Sequence, residues 1–327
     1  MIELVVDSMV LLALSHTFEF PEQIDMIVPG PNNSVVVQVE QQLFTVNPGI
    51  DQPQLLGTVE QGSQLVAIIG DQSVTFDNRG RLVYSSHGSA EARAVSFGEE
   101  AEFVAAKHHH SSLIVLLGDT PGNPLELGVP EFRLVAIDPQ GATKALAEPF
   151  GRSPGMWLLN EALDQLIVFP DIEMGTPLVF NVGSGERVEA SPGLSRSYRN
   201  LRVTGMDVAP DGKRLAVSLW NDDREHGELR VVQIEEGTDK LVSILPAQAG
   251  VPSVPLWSPE GKSFAFRCET ESDSVLLHAW VDDVGEWQTQ TVSSMDPLGE
   301  YFWHGDQLVV QLDDTKIGVF VRMSQDP

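Results

Sequence analysis

Three consecutive histidines, His108-His109-His110, are the first residues in this sequence that could do chemistry. Imidazoles bind zinc, nickel and copper. Neighbouring side chains on a strand point to opposite faces, however, so three in a row do not converge on one ion. The cluster is read as a solvated turn. A second polar cluster, Asn221 to Glu228, gathers Asp222, Asp223, Glu225 and His226. Oxygen-rich loops can hold calcium, but the spacing of a calcium-binding EF-hand loop is missing. Gly261-Lys262-Ser263 resembles the tail of a phosphate-binding loop, yet the glycine required five residues earlier is Leu256 and a strand follows where a helix is needed. Val182 to Glu186 fails the first position of a nucleophile elbow. For a metal at the ends of several first strands, only Asp207 and His304 can be placed. No catalytic residue, cofactor or metal site is therefore assigned. A lactonase-like hydrolase with a divalent metal in the central channel is the alternative.

The elements that must position such residues are short. Runs of Val, Ile, Leu and Phe alternate with Gly, Pro, Asn and Asp, and no long segment has a 3.6-residue apolar period. Two stretches repeat: "GMDVAPDGKRLAVSL" from Gly205 and "VPLWSPEGKSFAFRC" from Val254. Each is a strand, a Pro-Asp-Gly or Pro-Glu-Gly turn, and a second strand; Pro fixes φ and Gly permits positive φ. Each continues into two further strands, the unit of a propeller blade. Second-strand candidates start at Ser34, Ser73, Leu113, Leu166, Leu215, Phe264 and Leu308. Their spacing of roughly 40 to 50 residues is that of propeller repeats.

Trp257, Ser258, Pro259, Gly261, Lys262, Ala265 and Phe266 resemble the repeat of TolB-like and WD40-like propellers, as do Asp207, Ala209, Pro210, Asp211, Gly212, Lys213 and Ala216. The Gly-His and Trp-Asp signatures are lacking, so the resemblance leans to the TolB-like side. It implies fold and not activity.

The expectation is an all-β chain: a seven-bladed β-propeller, with blades near 22–58, 60–97, 100–148, 153–192, 200–246, 251–294 and 298–323. The last blade lacks one strand, which residues 1–15 are expected to supply, closing the propeller and covering an edge. Trp257 and Trp220 are expected to be buried between blades.

The chain carries 47 acidic and 20 basic residues among 327, a formal charge of −27. Nucleic-acid binding requires a basic stripe, and the scattered Lys and Arg do not form one. No membrane span and no targeting segment is read, and Cys268 is the one cysteine, so a cytoplasmic location is expected. Connections after the second strands lengthen in units three to six: Asp119–Glu131, Asp171–Thr176, Asp222–Glu228 and Glu269–Asp273, against tight turns in units one and two. Loops carry function more often than scaffold does. A protein-interaction scaffold, a subunit of a larger assembly, is therefore expected to bind a protein partner with a basic surface through this end. Phe132, Phe150, Tyr198, Asp222, Asp223, Glu225, Glu269 and Asp273 are its candidate contacts.

Overall fold

A computed structural model describes the chain except residues 1–10, 32–33, 48–49, 51, 87–91, 98–100, 110–111, 120–130, 139, 147–155, 170–176, 196–197, 199–200, 271–273, 283–284, 296–298 and 324–327. Strand follows strand in seven antiparallel sheets, the blades of a seven-bladed β-propeller. Blade 1 runs Met26–Pro29, Val35–Val39, Gln42–Val46, Gln54–Thr58. Blade 2 runs Gln64–Ile69, Gln72–Phe76, Arg81–Ser86, Ala92–Ser96. Blade 3 runs Ala101–His109, Ser112–Asp119, Glu131–Ile137, Thr143–Ala145. Blade 4 runs Met156–Asn160, Gln165–Phe169, Leu178–Asn181, Arg187–Val188. Blade 5 runs Arg202–Val208, Arg214–Asn221, His226–Gln233, Asp239–Leu245. Blade 6 has its first strand broken into Val251–Pro252 and Leu256–Trp257, both paired with Ser263–Glu269, followed by Ser274–Val281 and Trp287–Met295. Blade 7 runs Tyr301–His304, Gln307–Asp313, Lys316–Met323, and its fourth strand is Leu11–Glu19 from the start of the chain. The N-terminal segment thus closes the propeller, with a strand that runs four residues past Ser15, to Glu19.

The chain divides into two compact units. One comprises Phe18–Asp171 and Pro177–Glu189, and holds blades 1 to 4. The other gathers both chain ends with Ile172–Thr176 and Ala190–Pro327, and holds blades 5 to 7.

The second strands are the most buried elements: Val35–Val39 is buried at every position, and Gln165–Phe169 at all but its first. A strand covered on both faces reads as an unbroken apolar run, which explains why these runs were the clearest repeats in the sequence. Neighbouring blades share the residue sets they bury. One set joins Leu113, Val115 and Leu117 to Val74 and Leu82, and another joins Ile114, Leu116 and Leu134 to Leu166 and Val168.

The two turn copies have one geometry. Gly212 and Gly261 take φ of 70° and 68°, and their N–H groups donate to Ala209 O and Ser258 O at 2.8 Å. Asp211 also does work between blades. Its Oδ2 accepts from Arg214 Nε and Nη2 at 2.9 and 2.7 Å, and Arg214 then lies 5.1 Å over the Trp257 ring of the next blade. Burial pushes the Asp211 carboxyl up, but the Lys213 N–H and the Arg214 guanidinium outweigh it and hold it below the usual carboxylate range. Trp257 is buried, as expected. Trp220 is half-buried instead: it sits near the end of its strand, between exposed Arg202 on one side and buried Gly227 on the other, where the sheet runs out.

The histidine triplet is also placed differently from the expected turn. His108 and His109 end the first strand of blade 3, paired with Leu113 and Ser112, and His110 lies outside the described residues.

Candidate interaction surface

The connections that follow second strands emerge at one end of each blade, because successive strands are antiparallel. The expected lengthening is confined to two blades. In blade 3 the second strand ends at Asp119 and the third starts at Glu131, and in blade 4 the same step runs from Phe169 to Leu178. In blades 5 and 6 the connections are residues 222–225 and 270–273, no longer than 77–80 in blade 2. His226 and Glu228 were read as loop because they are polar, and so was Glu269. All three belong to strands.

Asp222, Asp223 and Glu225 are brought together by one turn and are exposed. Asn221 anchors it, its Oδ1 accepting the Arg224 N–H at 3.0 Å. Glu225 takes φ of 49°, the left-handed region that a non-glycine residue occupies at a cost. Asp222 lies 3.9 Å from Arg202 Nε in open solvent, a contact of little energy. Glu269 is half-buried and paired within its own strand: its Oε1 is 2.5 Å from Arg267 Nη2. Phe132 is not an exposed residue. It is half-buried against the core shared by blades 3 and 4, its ring seated on Gly118, opposite it in the ladder. Tyr198 is half-buried. Phe150 and Asp273 lie outside the described residues.

Blades 5 to 7 add residues that the sequence reading passed over. The break in the first strand of blade 6 pushes Val254 outward, and it is an exposed apolar residue. The break also lets blade 5 approach: a Cβ on Gly205 would fall 2.3 Å from Val254 Cα, so only glycine fits. Tyr301 ties blade 7 to this bend. Its Oη donates to Val254 O at 2.5 Å, accepts the Arg267 N–H at 3.2 Å and sits 3.2 Å from Ser253 Oγ. Burial pushes the phenol up to about 12, so it is a neutral donor at any physiological pH. Arg267 Nη1 reaches Gly299 O at 2.8 Å. Glu300, next to Tyr301, has its carboxyl pushed up by the surrounding protein, an effect that the Arg267 charge opposes. An acidic residue in front of an aromatic strand gave no pattern by which to find it.

The channel-metal alternative depended on Asp207 and His304. Asp207 is spent on Trp257: its Oδ2 accepts the Trp257 N–H at 2.9 Å, and its carbonyl accepts the indole N–H at 3.1 Å. His304 is half-buried, and burial lowers its pKa. Among the described residues no three His, Cys, Asp or Glu side chains converge on a metal-sized point. Also among them, no helix is long and apolar enough to cross a membrane.

No protein-family model matches the sequence, and no curated protein matches it. Solved structures do. An oligogalacturonate lyase in complex with manganese superposes with a TM-score of 0.66 over 98% of this chain and 97% of that one, at 9% identity. A chain of a mitotic checkpoint complex gives 0.64 over 96% and 95%, at 13% identity. The Dos1 propeller gives 0.55 over 95% of each, at 10% identity. One neighbour is an enzyme and another belongs to an assembly, and at such identities the likeness concerns the fold alone. The chain is similar to them in being a seven-bladed β-propeller.

Proposed function

We propose that this propeller is a non-catalytic interaction module, of the TolB-like kind, which works in the cytoplasm as a subunit of a larger assembly and docks a basic protein surface. The observation that carries the reading is the composition of one end of blade 5. Exposed Asp222, Asp223 and Glu225 form the turn that follows half-buried Trp220 in the same blade. An aromatic anchor rimmed by charge is common in protein contacts, and a net −27 speeds encounter with a cationic partner. The two turn copies support the TolB-like assignment. The cysteine, unpaired and buried, fits a reducing compartment.

The test is quantitative co-purification from the native organism at two salt concentrations, with wild type beside the triple variant Asp222→Asn, Asp223→Asn, Glu225→Gln. The expected result is a partner lost in the triple variant and weakened by salt. Identical partners with both proteins would overturn the reading.

A further inference from the structure

The fourth strand of blade 5, Asp239–Leu245, ends its sheet, and among the described residues no strand pairs with its far edge. Two of its aliphatic side chains face water: Leu241 at 41% exposure and Ile244 at 59%. Three residues apart on a regular strand, they would point to opposite faces. The register shifts between them: Arg230 faces Leu241, Leu229 faces Ser243 and Glu228 faces Ile244, so Val242 is an extra residue. Residues opposite each other share a face, so the bulge puts Leu241 and Ile244 on one face, with Arg230 and Glu228. Val242 packs instead into the core shared with blade 6.

That face is braced. Arg230 donates from Nε and Nη2 to Glu228 Oε2 at 2.9 and 2.7 Å, and from Nη1 to Asp239 Oδ2 at 2.6 Å. His226 Nε2 lies 3.3 Å from Glu228 Oε1. The charges of this ladder are satisfied among themselves, which leaves the two aliphatic residues as the groups without cover. The lysine that commonly guards a strand edge is drawn aside here: Lys240 Nζ donates to Gly285 O of blade 6 at 2.9 Å.

We propose that this edge takes an extended segment of a partner protein as a fifth strand of blade 5. The segment carries aliphatic residues at alternate positions and Lys or Arg at both ends. Strand addition draws affinity from backbone hydrogen bonds and selectivity from alternate side chains. Leu241 and Ile244 offer the apolar contact. Charge sets the ends: Glu235 and Glu236 are exposed in the turn before the strand. At its other end Ile244 and Leu245 lie opposite Glu228 and Gly227, just past the acidic turn 222–225. A second copy of the chain is disfavoured by its own charge of −27. The inference goes beyond the docking reading above, because its hydrogen bonds and apolar contacts come from the strand edge, and the turn adds only charge at one end.

The probe is a set of synthetic nine-residue peptides alternating Val, Ile or Leu with Thr, with Lys or Arg at both ends. One control set has the same sequences N-methylated at alternate backbone positions. Binding is measured by fluorescence anisotropy and mapped by amide hydrogen exchange on the full chain. The expected result is binding by the unmethylated peptides, loss of at least ten-fold on N-methylation, and slowed exchange within Asp239–Leu245. The pair Leu241→Thr, Ile244→Thr keeps strand-forming residues and a measurable melting transition, and is expected to weaken binding at least ten-fold. The turn triple variant, which tests the docking reading, is expected to retain protection of the edge. Equal binding by methylated peptides overturns strand addition, and so does protection mapped elsewhere. Failure of every peptide overturns the stated chemistry. Concentration-dependent dimerisation abolished by the Leu241 and Ile244 pair assigns the edge to a second copy instead.

Discussion

Replacing Trp257 by alanine removes a side chain that links blades 5 and 6. It is 5% exposed and meets Phe264 edge-on at 5.2 Å and Trp287 at 6.2 Å. Its indole N–H donates to Asp207 O, and Arg214 lies 5.1 Å above its ring. Truncating a buried tryptophan costs about 3–5 kcal/mol. Beyond burial, two edge-on ring contacts of about 0.5–1.5 kcal/mol each, the cation over the ring at about 0.5–1 and the hydrogen bond at about 1 place this site at the upper end of that range. Trp257→Phe keeps most of the ring contact and loses the N–H, so about 1–2 kcal/mol is expected. The assay is guanidinium unfolding followed by circular dichroism, with Arg214→Gln added to close a double-mutant cycle. A coupling of about 0.5–1 kcal/mol is expected between Trp257 and Arg214. A Trp257→Ala cost below about 1 kcal/mol, or equal costs for alanine and phenylalanine, would refute the argument that this residue locks the two blades.

Gly205→Ala must drive a methyl into the Val254 backbone, so a loss of about 1–3 kcal/mol or more is expected on thermal unfolding, and an unchanged melting curve contradicts the close approach. Asp211 and Glu228 are both held below the usual carboxylate range, burial raising each and their Arg partners reversing it. Their stabilisation is therefore present above their unfolded pKa values and is lost as pH falls through the folded ones. Asp211→Asn should lower stability at neutral pH and flatten its acid dependence, and an acid limb as steep as that of wild type counts against this. Burial pushes the Cys268 thiol up to about 12, so a thiol reagent should react with it only after unfolding, and prompt labelling of the native protein contradicts its burial. Removing residues up to Glu19 should expose the edge of Lys316–Met323 and cause aggregation, which a monomer with unchanged melting would disprove.

The blade count was legible because a second strand buried on both faces needs a continuous apolar run, and seven such runs stand out. The two turns were legible because positive φ calls for glycine after Pro-Asp or Pro-Glu. The ends of blades 5 and 6 were not. His226 and Glu228 alternate with buried residues on one strand, yet read as loop, because their charges are met sideways, Glu228 by His226 and by Arg230 further along the strand. The bend at Ser253 to Pro255, where Val254 is exposed, goes with a close approach by Gly205 that only the folded chain reveals. Of the eight candidate contacts, the three on one turn came out together and exposed. Glu269 and Phe132 turned out to be occupied by Arg267 and by the core, contacts that depend on ladder register and leave no trace in composition.

The closing strand has a consequence for how the protein is made. Leu11–Glu19 is made before the strands of blades 1 to 6, yet its hydrogen-bonding neighbour Lys316–Met323 is made after them. All six blades must be synthesised before that pairing can form. Blades 1 to 6 are built from strands adjacent in sequence and can fold as they emerge, while the last sheet waits on a contact between the two ends. During that interval the nascent chain carries Leu11–Glu19 without its neighbour, so folding of this propeller completes only once Lys316–Met323 has been made, and a ribosome stalled before that point would hold an exposed edge.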